Sequence, residues 1–183
     1  MNRRFLIQIF FVLAIMICYS ANAQNKILVV TGGKSFESES FYEIFNSFND
    51  VEFDTISKPS AFSVFTSDKI NEYDAIVFYD TYQPISEDEK KSFLNLFENG
   101  IGVVFLHHAI VSHQEWEEYE KIVGGRYHHK PYEDNGKKYG PSTYKHDQDF
   151  LVKIIDNGHA VTKGMRDFKI TDEAYLNYKV HDY

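Results

Sequence analysis

The stretch Gly100-Ile-Gly-Val-Val-Phe-Leu-His-His-Ala109 contains the clearest buried strand in this sequence of 183 residues. Its four consecutive apolar residues, 103–106, predict a strand over 102–107 that is covered on both faces. His107 and His108 stand at the end of that strand. In an open α/β sheet, ligands bind just outside the carboxyl ends of the strands. The two histidines are therefore the first candidates for a functional site.

Adjacent residues in an extended strand point to opposite faces, so only one of the two imidazoles is expected to face a pocket. We assign His107 to the site and expect His108 to pack as its structural neighbour. The unperturbed pKa of histidine is close to neutral pH, which suits His107 to proton transfer.

Strand and helix signals alternate along the chain before this stretch. Short apolar or alternating runs predict strands over residues 27–31, 51–56 and 74–79. Phenylalanines at helical spacing predict a helix over 38–48. Ser86 and Glu89 have the spacing of a capping box, and Gly100 is placed to end that second helix. The alternation favours a parallel sheet with helices on both faces.

After the double histidine, a helix through Trp116 is predicted to end at Gly124-Gly125. Residues 126–144 are polar and rich in turn-forming residues, which predicts a loop. A loop of this length in a compact domain is usually functional or disordered.

The N-terminus has the pattern of a signal peptide. Arg3 and Arg4 precede a mostly apolar run, and Ser20-Ala-Asn-Ala23 has the small residues read by signal peptidase. We expect cleavage after Ala23 and export to the periplasm or the extracellular space. An uncleaved membrane anchor is the alternative; after cleavage no stable membrane span is expected. Residues 24–183 are then one domain.

Removal of residues 1–23 would remove Cys18, the only cysteine, and with it any disulfide, thiolate nucleophile or cysteine metal ligand. The formal net charge would fall from −8 to −10, because two arginines leave and no acid does. Nucleic-acid binding depends on Lys and Arg neutralising phosphates. A nucleic-acid partner is therefore not expected.

Two later clusters offer chemistry. His146 and His159 lie in one part of the chain, and Asp172-Glu173 follows. A histidine and a carboxylate from different loops can form an acid/base pair in which the carboxylate fixes the imidazole tautomer. The alternative is that Asp172 and Glu173 are solvated surface acids.

A metal site is a further alternative, since histidines 107, 146 and 159 with a carboxylate could supply zinc ligands. No HExxH or similarly spaced pair of ligands supports it. We therefore assign no metal ligand, and the cofactor remains unknown.

Several segments together resemble the ThuA-like, or trehalose-utilisation, family, over about residues 26–178. These segments are Gly102-Val-Val-Phe-Leu-His-His-Ala109, Trp116-Glu-Glu-Tyr119, Val123-Gly-Gly-Arg-Tyr127, Tyr144-Lys-His146, Gly158-His-Ala-Val-Thr-Lys-Gly164, Asp167-Phe168 and Asp172-Glu-Ala-Tyr175. The resemblance implies a flavodoxin-like, three-layer α/β fold with a mainly parallel sheet, similar to class I glutamine amidotransferases.

In that superfamily a nucleophilic cysteine stands at the turn after the strand that corresponds to residues 102–107. This chain has histidine there, so glutamine hydrolysis through a thioester is excluded. The resemblance also implies the site residues. The catalytic residues would be His107, His159 and Glu173. The substrate-binding residues would be His146, Asp172, Trp116, Gly124 and Gly125. Asp80, which follows the third strand, is a further candidate for substrate binding.

The chain departs from the family pattern in two places. Ala160 replaces the usual proline after the late histidine, and the sequence stops at Tyr183, where such domains normally continue into further strands. The sheet is therefore expected to be truncated at its C-terminus, and the sequence leaves open whether the chain is a fragment or a shortened homologue.

The leading hypothesis is an exported protein that acts on a sugar or keto-sugar derivative by His/carboxylate acid/base chemistry, as an isomerase or hydrolase. One alternative is a non-catalytic carbohydrate-binding protein that uses Trp116 and the Tyr-rich 126–144 segment. The other is a metal-dependent hydrolase. The expected partner is a small sugar, and the oligomeric state is left open.

Overall fold

The computed structural model describes residues 24–81 and 83–181. The predicted signal peptide, residues 1–23, lies outside the described residues. The chain divides into two compact units. The first takes in residues 24–79 and 86–104, and the second takes in the described residues of 80–85 and 105–181.

Four strands form the sheet on which the first unit is built. They are β1 (Asn25–Gly32), β2 (Val51–Ser57), β3 (Ala75–Asp80) and β4 (Gly102–Phe105). The sheet is parallel, with the order β2-β1-β3-β4, and Ile27 of β1 lies opposite Phe53 of β2. This order matches the first four strands of a flavodoxin-like sheet. The predicted α/β fold class is confirmed.

The helices of the first unit are α1 (Ser38–Asn46), α2 (Ala61–Phe65), a 3₁₀ helix (Asp68–Glu72) and α3 (Glu87–Glu98). The capping box predicted for α3 is present: Glu89 N donates to Ser86 Oγ, and Ser86 N donates to Glu89 Oε2. Gly100 has a φ of 71°, in the left-handed region that ends a helix. Local sequence signals therefore fixed both ends of α3 correctly.

Helices cover both faces of the sheet. Phe78 and Tyr79 are consecutive in β3, so their side chains point to opposite faces. The Tyr79 ring stacks on Phe41 of α1, with 4.4 Å between ring centroids. On the other face, Phe78 packs against Phe93 of α3 at 5.4 Å. The first unit thus has the three layers that the sequence predicts.

In the second unit strands and helices no longer alternate. A 3₁₀ helix (His107–Val111) leads to α4 (Glu117–Val123), and six short or exposed strands follow. These strands are β5 (Gly125–Arg126), β6 (Tyr132–Asp134), β7 (Lys137–Tyr139), β8 (Thr143–Val152), β9 (Phe168–Leu176) and β10 (Lys179–Val180). They pair antiparallel as β5 with β10, β6 with β7, and β8 with β9. The predicted 126–144 loop therefore contains regular structure.

The strand predicted over 102–107 is too long, because β4 ends at Phe105. His107 has a φ of 38°, which is incompatible with an extended strand and is uncommon for a residue with a Cβ. The chain turns into the 3₁₀ helix at this residue. The two histidines therefore lie in a turn rather than at a strand end.

A partly buried ion-pair network centred on Glu120 connects α4, β5 and β10 in the second unit. Glu120 lies 2.8 Å from Arg126 Nε and 3.1 Å from Lys179 Nζ. A Cβ on Gly125 would collide with the carbonyl oxygen of Lys179, so glycine is required there for the two strands to pair. Within residues 24–81 and 83–181, no helix has the length and apolar composition needed to cross a membrane.

Candidate functional site

Strand β9 presents a carboxylate and a phenol on one face. Glu173 and Tyr175 lie two residues apart in the strand, so their side chains point the same way. His107 Nε2 donates a hydrogen bond of 2.9 Å to Glu173 Oε2. Two of the three predicted catalytic residues, 66 positions apart in sequence, are thus in direct contact.

The other oxygen of the same carboxylate faces His146. The β8–β9 register shifts between Lys145 and Gln148, and Asp147 in the shift has a φ of 55°. Such a bulge re-aims the side chains that it carries. His146 Nδ1 lies 3.3 Å from Glu173 Oε1, so Glu173 stands between two imidazoles.

His108 also belongs to this cluster, which corrects the prediction that the two histidines point to opposite faces. The Tyr175 hydroxyl lies 3.0 Å from His108 Nδ1 and 3.2 Å from His107 Nε2. The two imidazole centroids are 4.3 Å apart. The physical reason is the left-handed φ of His107, which breaks the alternation on which the prediction depended.

Stacking fixes the plane of the His107 ring. The Tyr175 ring lies against it with 4.7 Å between centroids and 14° between planes. Tyr127 in turn meets the Tyr175 ring edge to face at 5.0 Å. Burial, and then the charges of Tyr144 and Glu173, raise the pKa of Tyr127. The Tyr127 phenol therefore stays protonated at neutral pH.

The hydrogen bonds define where the protons lie in a cluster with neutral imidazoles. A carboxylate only accepts, so His107 carries its proton on Nε2 and its lone pair on Nδ1. The Tyr175 hydroxyl has a single proton, which it can give to His108 Nδ1. Glu173 thus selects the His107 tautomer in which Nδ1 is able to accept a proton.

A cavity of about 600 Å³ adjoins these groups. His107, Glu173 and Tyr175 contribute its polar wall, and Phe105, Ile110 and Phe150 belong to its apolar wall. The Glu173 side chain is only 12% exposed, whereas that of His107 is 34% exposed. An apolar pocket with a few convergent polar groups is the usual form of a small-molecule site.

The structure does not bring His159 into this cluster. Its ring Nδ1 accepts a hydrogen bond from the backbone N–H of Val161, and the backbone N–H of His159 donates to Asp156 Oδ1. Within the described residues, its hydrogen bonds stay inside the turn over 156–163. A catalytic role for His159 stays a prediction without support from the geometry.

Asp172 is exposed, and its Oδ1 accepts a hydrogen bond from Glu173 N at 2.7 Å. Because it neighbours Glu173 in β9, its side chain points to the opposite face. The contact helps to hold the backbone at Glu173. The structure therefore gives Asp172 a supporting position, and substrate binding by it stays a prediction.

Trp116 corrects the expectation of an exposed aromatic platform. It is 8% exposed, and its ring stacks on Tyr119 with 5.9 Å between centroids. Asp80 is also enclosed, at 1% exposed, and accepts a hydrogen bond from Ser112 Oγ at 2.5 Å. Direct binding of a substrate by either residue stays a prediction, since both side chains are covered.

The local backbone favours glycine at both 124 and 125. Gly124 ends α4 with a φ of 86°, as the sequence predicts, and Gly125 allows the close approach of β10. They follow Val123, which lines the cavity. Their predicted place in the wall of the site stays a prediction.

Sequence reasoning missed His108 and Tyr175 as members of the cluster. The spacing Glu173-x-Tyr175 would have placed both on one face if the segment had been identified as a strand. The positive φ of His107 left no such signal, because only a small minority of histidines adopt the left-handed region even though histidine is enriched there.

A family model described as ThuA, trehalose utilisation, matches residues 26–183. A search among curated proteins gave no match to this chain. The matched range includes every residue of the His107–Glu173 cluster and nearly all of the described chain. The chain belongs to the ThuA, or trehalose utilisation, family.

Proposed function

We propose that this protein acts on a sugar or keto-sugar derivative by proton transfer, with His107 as the base and Glu173 as the group that orients it. Family membership supports a role in sugar utilisation. The observation that carries the finer proposal is the 2.9 Å hydrogen bond from His107 Nε2 to Glu173 Oε2. It is the contact that a carboxylate makes when it fixes the tautomer of a catalytic imidazole.

The chemistry follows from that contact. A carbon beside a sugar carbonyl carries an acidic proton, which His107 Nδ1 accepts while the electron pair moves onto the carbonyl as an enolate. The imidazolium that forms is stabilised by the negative charge of Glu173. If the deprotonated carbon carries a hydroxyl, return of the proton to the former carbonyl carbon, with the hydroxyl proton passing to the enolate oxygen, gives the isomer. Alternatively the enolate re-forms the carbonyl and expels a substituent from the carbon on the other side of the deprotonated one; the leaving group takes the proton from the imidazolium, and the product is an unsaturated ketone.

The apolar wall of the cavity strengthens this chemistry. Phe105, Ile110 and Phe150 line part of the pocket with apolar side chains, and apolar surroundings make the interaction between imidazolium and carboxylate stronger than in bulk solvent. The 34% exposure of the His107 side chain leaves it open to a bound molecule. The pocket thus combines access with a partly apolar wall.

Variants of two histidines test the proposal on a panel of glycosides and 3-keto-glycosides. We expect His107→Ala to lower kcat about 100-fold to 10,000-fold, the usual contribution of a general base, with sugar binding retained. His159→Ala should lower kcat less than about threefold, because its contacts are confined to its own turn. Binding of sugars by the wild type without turnover of any panel member would replace the enzyme with a carbohydrate-binding protein.

We also propose that the protein is exported, on the pattern of residues 1–23. N-terminal sequencing of protein recovered from the periplasm or the medium should begin at Gln24. Recovery of the full-length chain from the membrane fraction would instead support the uncleaved anchor.

A further inference from the structure

We propose that His107, His108 and Glu173 bind one divalent transition-metal ion, of the zinc type. Each residue offers one ligand atom, and the three atoms lie within 4.8 Å of one another. The metal site goes beyond the proposed function, because that function uses only His107 and Glu173 and requires no metal.

The donor set selects the class of metal. Two imidazole nitrogens and one carboxylate oxygen suit zinc and the neighbouring first-row ions, and the same set with three protein ligands occurs in catalytic zinc sites. Magnesium and calcium prefer oxygen ligands. Three protein ligands leave at least one coordination position for water or a substrate oxygen.

The ligand atoms, which lie at most 4.8 Å apart, must adjust their separations to hold an ion. Ligand atoms around a tetrahedral zinc ion lie roughly 3.4 Å apart, from bonds of about 2.0–2.1 Å. His107 Nε2 and Glu173 Oε2, at 2.9 Å, would move slightly apart to admit the ion. Because the imidazoles of His107 and His108 already converge on the Tyr175 hydroxyl, His108 Nδ1 is aimed at the same region as Nε2 of His107.

The backbone supports the convergence of two adjacent histidines. An extended chain would send the two side chains apart, whereas the φ of 38° at His107 turns both toward Tyr175. A non-glycine residue in this region carries a conformational cost, and such residues cluster at ligand sites. The 34% exposure of the His107 side chain gives an ion a path to the cluster.

Metal and base function exclude each other at His107. A neutral imidazole that gives Nε2 to a metal keeps its proton on Nδ1 and has no lone pair there for a substrate. The predicted inhibition of proton transfer by the metal rests on the proposed function. Metal binding itself does not, so the two can fail separately.

Titration of the metal-free full-length protein with Co²⁺, followed by its visible absorption, tests the site, and calorimetry with Zn²⁺ gives the stoichiometry. We expect one ion per chain and no comparable binding of Mg²⁺. Both His108→Ala and Glu173→Gln should weaken Co²⁺ binding at least about 100-fold, since loss even of a supporting partner costs 10-fold to 100-fold. The matched control His159→Ala, an exposed histidine outside the cluster, should bind as the wild type does.

Unchanged Co²⁺ affinity in both His108→Ala and Glu173→Gln would overturn the site, as would Mg²⁺ binding as tight as that of Co²⁺. Stoichiometric Co²⁺ binding with turnover that rises on loading would support the site while it refuted His107 as the base. Stoichiometric binding with loss of turnover would support both. Because His108→Ala and Glu173→Gln change different parts of the site, a folding defect in one variant still leaves the other as a test.

Discussion

The side chains of β3, inside the parallel sheet, are mostly buried, whereas those of the antiparallel pair β8–β9 are mostly exposed. In β3, Ile76 and Phe78 on one face are 0% exposed and Val77 on the other face is 7% exposed, and helices cover both faces. In β8 and β9 most residues are exposed, including Leu151 at 49%. A strand covered on both faces has no side chain left for a ligand, whereas an exposed pair can present Glu173 and Tyr175. The difference separates the residues that stabilise the first unit from those available for chemistry.

Substitution of Glu173 in β9 should lower turnover strongly without lowering stability. Glu173→Gln keeps the shape of the side chain but removes the charge that fixes and stabilises the His107 imidazole. We expect turnover to fall about 100-fold to 10,000-fold with the melting temperature nearly unchanged. Asp149→Asn, an exposed acid on β8, is the matched control and should change neither. A large loss of stability in Glu173→Gln would show that this face is structural.

The next largest effect is a loss of stability when a core residue of the sheet is truncated. Phe78→Ala removes a ring that is 0% exposed and packs on Phe93, and large-to-small changes of this kind cost about 3–5 kcal/mol. Urea unfolding should show this loss, and Leu151→Ala on β8 should cost less than about 1 kcal/mol by the same measurement because its side chain is half exposed. Equal losses would mean that both regions contribute equally to stability.

A smaller loss of turnover is expected when only the Tyr175 hydroxyl is removed from the cluster. Tyr175→Phe keeps the ring that stacks on His107 and removes only the hydroxyl that contacts the two imidazoles. A hydrogen bond of this kind contributes about 0.5–1.5 kcal/mol, so we expect a loss of turnover of roughly 2-fold to 10-fold. A loss as large as that of His107→Ala would make the hydroxyl a direct participant in the reaction.

The smallest effect concerns charges at the surface of the first unit. Hydrogen bonds from Tyr73 and then from Lys26 hold the pKa of Asp54 below its ordinary value. A depressed carboxyl pKa stabilises the fold above the unfolded-state pKa, and this stabilisation is lost as the pH falls through the folded-state pKa. Asp54→Asn should cost at most about 1 kcal/mol at neutral pH, because the side chain is 49% exposed.

That cost should shrink in urea unfolding as the pH falls below the unfolded-state pKa of about 4 and then through the lower folded-state pKa, at which the wild-type carboxylate becomes neutral. Glu52→Gln, on the same strand, serves as the control. A difference between Asp54→Asn and the wild type that stays constant down to acid pH would refute the assignment.

The sheet could be predicted because its signals are local. The apolar runs of β1 and β3 and the capping box at Ser86 each follow from a few neighbouring residues. By contrast, Thr143–Val152 has no clear alternation, since both of its faces are largely exposed. Exposure therefore removed the pattern by which β8 could have been identified.

The candidate site could be predicted only in part of its membership and not in its arrangement, since His108 and Tyr175 were missed. His107, His146 and Glu173 were identified by residue type and by family resemblance, and the structure brings them together. The role of His108 depends on the left-handed backbone at His107, and that of His146 on a bulge. Neither conformation is dictated by the residues at those positions, because contacts distant in sequence stabilise both.

The most direct test of the account is the tautomer of His107 in solution, measured by long-range ¹H–¹⁵N correlation NMR on protein labelled at histidine, at mildly alkaline pH and without metal. We predict that the proton lies on Nε2 in the wild type, and that Glu173→Gln weakens this preference, because an amide can also donate to Nε2, while the His159 signals stay unchanged. A wild-type His107 with its proton on Nδ1, or a tautomer unaffected by Glu173→Gln, would contradict the claim that β9 supplies the group that prepares His107 for proton transfer.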